Sequence, residues 1–183
     1  LRTHVDTNSY RALKDAAEDT MRDVENVFSA AACAPLGCTE LAQRENGVLV
    51  INLGGGSTSW SITRSDRITA VGQLAIGGDH VTSDILSAFH TGLEEAALAL
   101  KHEFAQATLD GVDPSLRIEV PNPKSMKKTI NLRALDFVVN ARMDETLRII
   151  HDELREAGEL DGLGAGIVLC GGGALMKNIT QLV

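Results

Sequence analysis

The sequence predicts an α/β fold, and three observations support this. An apolar run over residues 48–53 leads through a glycine-rich turn into a second, alternating segment. Residues 131–157 repeat apolar side chains at the three-to-four spacing of a helix, and residues 167–170 form another apolar run that ends in three glycines. Apolar residues make up 44% of the chain and aromatic residues only 3%, so Ala, Val, Leu and Ile must build most of the core. At 183 residues, one folding unit is expected.

The N-terminal quarter predicts two helices. Residues 6–22 repeat apolar side chains on one helical face, at Tyr10, Leu13, Ala17 and Met21. Residues 24–28 fit either a continuation of that helix or a short strand. Because proline cannot lie deep inside a helix, Pro35 is predicted to occupy the first turn of a short helix that ends near Arg44.

A three-stranded meander is predicted next, with strands over residues 48–53, 59–63 and 68–73. The turn between the last two strands falls at Ser65-Asp66. Asp79 is a candidate N-cap for a helix that follows. A break near Gly92 separates this helix from a second one over residues 93–107.

The C-terminal half is predicted to contain one long helix between two strands. Residues 116–120 alternate as a strand does, and the prolines at 121 and 123 exclude helix directly after it. The helix over residues 131–157 starts at Asn131, which can cap it, and Gly158 suits the position after its end. Strand 167–170 is then followed by a helix that begins at Ala174.

Charge and composition exclude several classes of protein. The net charge is −8, and the basic residues are scattered except at Lys124, Lys127 and Lys128, so no nucleic-acid partner is expected. No apolar run approaches the ~20 residues of a membrane helix, so a soluble protein is expected. Because the chain starts at Leu1 and stops inside the helix expected at Ala174, we expect a fragment of a longer protein.

The three cysteines are an odd number, and Cys33 and Cys38 lack a second pair at zinc-ligand spacing. Reduced, buried thiols in a cytoplasmic protein are therefore expected at Cys33, Cys38 and Cys170.

Three glycine segments suggest a nucleotide cleft. Residues 54–58 offer converging backbone amides, with the hydroxyl groups of Ser57 and Thr58 beside them. Gly77 and Gly78 precede a helix N-terminus, where the helix dipole favours anions. Residues 171–174 are mostly glycine, so a flat ring or a ribose could pack directly against their backbone. Each segment alone also fits a tight turn or close packing, and it is their order along the chain that favours the cleft.

This ordered set resembles the actin and Hsp70 superfamily, and more closely the FtsA family of bacterial cell-division proteins. Residues 47–58 resemble the phosphate-2 hairpin, residues 77–85 the Gly-Gly-x-x-x-Thr-x-Asp-Ile segment and residues 166–175 the adenosine loop. Val120-Pro121 and Asn140-Ala141-Arg142 are also similar to that family.

The resemblance implies an actin-like ATPase lobe of the ribonuclease H-like kind, with a mixed sheet and helices plus a smaller α/β subdomain. Subdomain 2A would comprise residues 1–84 and 159–183, and subdomain 2B residues 85–158.

The resemblance also implies a site for ATP with Mg²⁺ in the intact protein. It assigns no catalytic residue and no metal ligand to this chain, and it implies nucleotide contacts at Gly54, Gly55, Gly56, Ser57, Thr58, Gly77, Gly78, Lys101, Gly171, Gly172, Gly173 and Ala174. This chain alone is expected to bind no nucleotide, because the first lobe supplies half of the phosphate clamp.

The chain departs from the family pattern where hydrolysis would need a carboxylate. Asn52 and Ser59 stand where the phosphate-2 hairpin normally has acids, and Leu98 stands where the family carries the glutamate of an Ala-Glu-x-x-Lys motif ending here at Lys101. A neutral amide cannot take a proton from water, so the chain is expected to be at most a weak ATPase.

The function that the resemblance implies is an adaptor that polymerises through its actin fold and tethers FtsZ to the cell membrane. It would act in the cytoplasm, at the inner membrane face of the division site, and reach the membrane only through a C-terminal helix absent from this sequence. The FtsZ tail would dock on the helix over residues 131–157, with Arg133 and Arg142 as contacts. The alternative for both arginines is that they only solvate the helix or pair with Asp136 and Glu145. Alternative functions are a pilus-assembly actin homologue and a superfamily phosphotransferase or chaperone ATPase.

Overall fold

The computed structural model of the chain describes residues 7–20, 22–120 and 128–183. Its helices are α1 (Thr7–Glu18), α2 (Ala30–Cys38), α3 (Leu41–Asn46), α4 (Gly78–Phe89), α5 (Glu94–Glu103) and α6 (Leu132–Glu156). Its strands are β1 (Val48–Leu53), β2 (Thr58–Arg64), β3 (Arg67–Leu74), β4 (Arg117–Glu119), β5 (Thr129–Asn131) and β6 (Ile167–Cys170). Short 3₁₀ turns at Gly172–Leu175 and Ile179–Gln181 follow β6.

A four-stranded mixed sheet in the order β3-β2-β1-β6 organises the molecule. β1 is antiparallel to β2 and parallel to β6, so the β1–β2 turn and the end of β6 lie at the same edge of the sheet. Ser65 and Asp66 both have positive φ, as a primed hairpin turn between β2 and β3 requires. The predicted meander and its turn are confirmed.

The core lies between this sheet and α4, α5 and α6. Side chains of β1 and β2 alternate, and Leu49, Ile51, Trp60 and Ile62 belong to the same buried cluster as Ile150 of α6. The short, alanine-rich helix α2 contacts all four strands. A mixed sheet covered by helices is the predicted α/β architecture.

Helix α6 matches its prediction closely. The Asn131 side chain accepts a hydrogen bond from the backbone N–H of Ala134 at 3.0 Å, and Gly158 has φ +69° just beyond the helix. β4 confirms the strand predicted over residues 116–120, and it pairs with β5, which was not predicted from the sequence. The residues at 121–123 where helix was excluded, the lysines at 124 and 127, and Met21 lie outside the described residues.

Two helices replace the one predicted around Pro35. Helix α2 begins at Ala30, so Pro35 is its sixth residue rather than a member of the first turn. Thr39 is extended and ends α2, and a new helix starts after Glu40, whose N–H donates to the Gln43 side chain at 2.9 Å. The prediction was wrong because a proline removes only one hydrogen-bond donor, which a run of alanines and tertiary packing can offset.

Four smaller expectations were also wrong. Residues 24–28 form neither helix nor strand. Helix α5 ends at Glu103 instead of 107, because Gln106 pairs with Lys177 and the N–H of Ala107 donates to the Lys177 carbonyl at 2.8 Å. The helix expected from Ala174 is a 3₁₀ turn. Cys33 is exposed, while Cys38 and Cys170 are half-buried.

Of the helices within the described ranges, none is both long enough and apolar enough to cross a bilayer.

Candidate nucleotide-binding site

The three glycine segments meet at one cavity of about 680 Å³. The β1–β2 turn contributes Gly54 and Gly55, the start of α4 contributes Gly77 and Gly78, and the loop after β6 contributes Gly172 and Gly173. The strand order explains the meeting, because parallel β1 and β6 deliver their glycines to the same edge. A cavity of this size is within the range of small-molecule sites.

Close packing fixes the β1–β2 turn against α4. The N–H groups of Gly78 and Asp79 donate to the carbonyls of Gly54 and Gly55, each at 2.9 Å. A Cβ on Gly77 would lie 2.3 Å from the Gly55 carbonyl oxygen, so only glycine fits there. We call this junction of α4 with residues 54–57 the interlock.

The interlock corrects the expectation that the first turn of α4 offers its amides to an anion. Gly78 and Asp79 already donate to the turn, the N–H of His80 donates to the Gly77 carbonyl at 3.0 Å, and the N–H of Gly77 donates to His80 Nδ1 at 3.2 Å. Asp79 lies inside the first turn, and Gly77 holds the N-cap position predicted for Asp79. Gly77 and Gly78 therefore allow α4 to pack closely against the β1–β2 turn, and their N–H groups are not free to bind an anion.

Gly55 and Gly56 carry the available amides of the β1–β2 turn. Both residues are exposed, and no acceptor for either N–H lies within hydrogen-bond distance among the residues that the structure describes. Within the same ranges, the N–H groups of Gly172 and Gly173 are likewise without a protein acceptor. Two groups of bare amides thus stand at this edge of the sheet.

Some predicted site residues lie beside the cavity rather than on it. Thr58 lines the cavity, whereas Gly56, Ser57, Gly171 and Ala174 do not. The Ser57 hydroxyl accepts a hydrogen bond from Gln73 Nε2 at 3.2 Å. Gly171 has φ +83°, and a Cβ there would lie 2.4 Å from Asn52 Oδ1, so this glycine shapes the loop.

Lys101 of α5 brings a positive charge to the cavity. Its Nζ donates to the Gly78 carbonyl at 2.9 Å and to Thr82 Oγ1 at 2.7 Å, which ties α5 to the start of α4. Burial lowers the pKa of Lys101, and the nearby Asp79 carboxylate partly opposes that shift. Leu98, one helical turn before Lys101, lines the same cavity. The two residues aligned with the Glu and Lys of the Ala-Glu-x-x-Lys motif thus lie on one cavity.

An apolar wall that was not predicted from the sequence also lines the cavity. It consists of Leu98, Phe104, Met143, Leu175 and Met176. Five polar or charged residues also line the cavity without having been predicted from the sequence: Asp79, His102, Glu103, Thr146 and Lys177. Leu175 is 89% exposed, unusual for a leucine. The position of Leu175 directly after the triple glycine could have identified it as a cavity residue. Met143 gave no such signal, because it fits the apolar stripe that α6 buries in the core.

A buried polar network joins α6 to the segments that follow α5 and the triple glycine. Asp136 of α6 is fully buried, and its Oδ1 accepts the N–H of Gln106 at 3.0 Å. Gln106 Oε1 in turn accepts a hydrogen bond from Asn178 Nδ2 at 3.0 Å. Burial raises the pKa of Asp136, while the Gln106 N–H and the charge of Lys177 oppose that shift. The segments after α5 and after the triple glycine are therefore fixed to α6.

The two candidate partner-binding arginines of α6 differ. The guanidinium of Arg142 donates hydrogen bonds to both carboxylate oxygens of Asp84 on α4, at 2.6 and 3.0 Å, and also donates to Glu145 at 2.6 Å. The alternative pairing with Asp136 is wrong, because that side chain faces the buried network, whereas the pairing with Glu145 is present. Arg133 is exposed and forms no ion pair with any residue in the described ranges.

Asn52 lies near the cavity without lining it. It is half-buried at the end of β1, opposite Ser59 on β2 and Cys170 on β6. Its side chain approaches Gly171, so it contacts the loop that carries two of the lining glycines.

Cys170 is expected to resist thiol reagents far more than Cys33 does. Burial and the neighbouring Cys38 thiol raise the pKa of Cys170 to about 11, so at pH 8 only about one thiol in a thousand is ionised. Labelling with a maleimide, followed by mass spectrometry, should modify the exposed Cys33 first, and Cys170 labelling should accelerate up to about pH 11. Equal labelling rates at pH 8 would contradict the half-buried position and the raised pKa of Cys170.

The chain is similar in sequence to known proteins. Residues 49–183 match the family model "Cell division protein FtsA". Relatives with that name are 31% identical in Pseudomonas aeruginosa and in Bacillus subtilis, over 76% of this chain and 34% and 32% of those proteins. The Escherichia coli relative is 31% identical over 75% of this chain and 34% of its own length. The chain thus spans about a third of the length of these curated relatives.

Solved structures share the fold at lower identity. MreB5 of Spiroplasma citri bound to ADP superposes with a TM-score of 0.78 at 22% identity, covering 98% of this chain and 58% of that one. The ethanolamine utilization protein EutJ from Carboxydothermus hydrogenoformans gives 0.54 at 18% identity, covering 83% of this chain and 43% of that one.

The mixed sheet, its helices and these neighbours define an actin-like α/β fold. Within that class, the match over residues 49–183 shows that the chain belongs to the FtsA family of cell-division proteins.

Proposed function

We propose that this chain is the second lobe of a nucleotide-binding, actin-like adaptor in cell division. The observation that supports it best is the convergence of three glycine segments on one 680 Å³ cavity that also contains Lys101. The structural neighbour MreB5 was solved with ADP and with AMPPNP, which favours a nucleotide as the ligand. In this proposal residues 1–84 and 159–183 form subdomain 2A, and residues 85–158 form subdomain 2B.

The ligand we propose is ATP with Mg²⁺ in the intact protein. The free amides of Gly55 and Gly56 and the ammonium group of Lys101 would hold the phosphates. The bare backbone of Gly172 and Gly173 and the apolar wall would hold the nucleoside. An Asp79 carboxylate on the cavity gives the chain an oxygen donor of the kind that Mg²⁺ prefers.

Hydrolysis is proposed to be slow. Asn52 and Ser59 are neutral where a general base would have to stand, and general acid–base chemistry typically contributes about 10²–10⁴-fold. Leu98 offers no acceptor for a ribose hydroxyl group, so the affinity for ATP should also be weakened.

Calorimetric titration of the intact protein with MgATP, together with a phosphate-release assay, tests this part of the proposal. Binding with turnover far below one per second is the expected result. A turnover of several per second, or no heat of binding at any ATP concentration, would contradict it.

The adaptor part of the proposal concerns α6. Arg133 is exposed, and Phe137, one turn later on the same helix, is 61% exposed, so a cation and an apolar ring lie side by side. An acidic tail with an apolar anchor, such as the C-terminal tail of FtsZ, would suit this pair. Arg142 is already neutralised by Asp84 and Glu145, so Arg133 is the stronger contact.

Binding of an FtsZ tail peptide to the intact protein tests this surface. The Arg133→Glu variant should bind about tenfold more weakly, as expected for loss and reversal of one charged contact. Arg155→Glu, which changes an exposed arginine at the other end of α6, is the matched control and should bind normally. Equal effects of both substitutions would show that α6 attracts the tail only through net charge.

The proposal includes two further properties of the intact protein. It would assemble into filaments, and it would attach to the inner face of the membrane at the division site through a helix outside this sequence. The family match favours this adaptor over a pilus-assembly homologue and over a phosphotransferase or chaperone ATPase of the superfamily.

A further inference from the structure

We propose that the Asp79 carboxylate faces the divalent cation that accompanies the phosphates and makes nucleotide binding depend on that cation. This inference deepens the proposed nucleotide site and rests on it. Asp79 takes part in the interlock through its backbone, lines the cavity, and, unlike the interlock glycines that also line the cavity, carries a charged side chain.

The backbone holds Asp79 in a fixed place. Its N–H donates to the Gly55 carbonyl at 2.9 Å, in the first turn of α4. The two carboxylate oxygens lie 3.4 and 3.5 Å from the point where a Cβ of Gly55 would stand, and Oδ2 lies 4.0 Å from the corresponding point of Gly56. The carboxylate therefore lies beside the two glycines whose amides are available.

The carboxylate is also uncommitted. Asp79 is exposed, and no donor or cation within the described ranges forms a hydrogen bond or ion pair with its side chain. Lys101 lies near enough to affect it electrostatically, but its Nζ donates to the Gly78 carbonyl and Thr82. By contrast, the Asp84 carboxylate on the same helix is fully occupied by Arg142.

This arrangement creates a charge conflict that a cation resolves. A phosphate bound to the Gly55 and Gly56 amides would lie beside a carboxylate of the same sign, and the two would repel each other. Mg²⁺ binds oxygen ligands and is typically held by one or two carboxylates together with substrate phosphates. A cation between Asp79 and the phosphate, directly or through its water shell, turns the repulsion into attraction.

Glu103 provides the comparison within the same cavity. It is the last residue of α5, it also lines the cavity, and it is exposed. Glu103 lies away from the interlock in sequence and in element, beside Phe104 of the apolar wall. Neutralising it changes the cavity's net charge by the same amount as neutralising Asp79, without touching the β1–β2 turn.

The experiment measures ADP affinity of the intact protein by calorimetry, with excess Mg²⁺ and with EDTA, for the wild type, Asp79→Asn and Glu103→Gln. For the wild type, Mg²⁺ should tighten binding by about tenfold or more. Asp79→Asn should reduce that factor to about threefold or less and should bind ADP more tightly than the wild type in EDTA, because the repulsion is gone. Glu103→Gln should keep the wild-type factor.

A second readout uses the cation itself. Mn²⁺ binding in the presence of ADP, followed by electron paramagnetic resonance, should weaken in Asp79→Asn and persist in Glu103→Gln. Thermal unfolding should be nearly unchanged in both variants, since both side chains are exposed.

The outcomes distinguish a failure of the role assigned to Asp79 from a failure of the proposed nucleotide site. If wild-type protein binds ADP and Asp79→Asn keeps the full Mg²⁺ factor, the role of Asp79 is overturned while the nucleotide site stands. If Glu103→Gln loses the factor equally, the effect is one of net charge and the assignment to Asp79 is also overturned. If the wild type binds ADP under neither condition, the proposed nucleotide site fails, and the inference fails with it.

Discussion

Replacing Gly77 by alanine is expected to disrupt the interlock and to cost about 2–3 kcal/mol in the free energy of unfolding. The new Cβ would lie 2.3 Å from the Gly55 carbonyl oxygen and 2.7 Å from both the Gly54 carbonyl oxygen and the Ser57 amide nitrogen. All three are backbone atoms, so no rotamer change relieves the contact. The turn must move away from α4, which breaks the hydrogen bonds from Gly78 and Asp79. Nucleotide affinity should fall by at least about tenfold, because the same turn carries the Gly55 and Gly56 amides.

Denaturant unfolding followed by the fluorescence of Trp60, the single tryptophan, measures this cost. Gly37→Ala is the matched control, because a Cβ there meets nothing within 4 Å and the residue lies inside α2. It should leave stability unchanged or raise it by about 0.5–1 kcal/mol. A Gly77→Ala protein as stable as the wild type would show that the interlock does not constrain the turn.

Replacing Lys101 by methionine is expected to weaken nucleotide binding by about tenfold or more, with little change in stability. Methionine keeps most of the side-chain volume and removes the charge. Folding should be nearly unaffected because Thr82 Oγ1 keeps its own hydrogen bond to the Gly78 carbonyl at 3.1 Å, and because the partly buried charge is costly to keep. Loss of binding with retained stability is thus the signature of a phosphate contact.

The pH dependence gives the Lys101 prediction a second test. Burial lowers the lysine pKa, so the ammonium group loses its proton at a lower pH than an ordinary lysine does. Wild-type affinity should therefore decline on the alkaline side below pH 10.5, and that decline should be absent in Lys101→Met. Lys14→Met, on the exposed helix α1, should behave as the wild type. An affinity that Lys101→Met leaves unchanged would remove Lys101 from the site.

Local patterns were enough to predict the sheet and the long helix. A continuous apolar run for β1 and the patterns of the next two segments predicted β1, β2 and β3 within one residue at each end, and Asn131 and Gly158 marked the ends of α6 as caps do. The strands and the long helix depend on neighbours in the chain. The glycine segments pointed to one site through their order along the chain and their resemblance to the FtsA family, and the parallel pairing of β1 with β6 that brings them to one edge was not predicted.

Features that depend on distant partners could not be read from the sequence. Gly77 holds the N-cap position because the Gly54 and Gly55 carbonyls approach α4, and no spacing in the sequence reveals that approach. Helix α5 ends early because Ala107 bonds to Lys177, seventy residues later. Met143 and Thr146 lie on the apolar stripe of α6, and only the fold shows that this part of the stripe faces a cavity.

Amide hydrogen exchange of the intact protein, with and without a non-hydrolysable ATP analogue, shows whether the glycine segments at this edge of the sheet hold the nucleotide. Binding should slow exchange at Gly55, Gly56, Gly172 and Gly173, and should leave Gly92, a loop glycine outside the cavity, unchanged. If a saturating analogue leaves those four amides exchanging at the rates of the free protein, the nucleotide does not bind at these glycines.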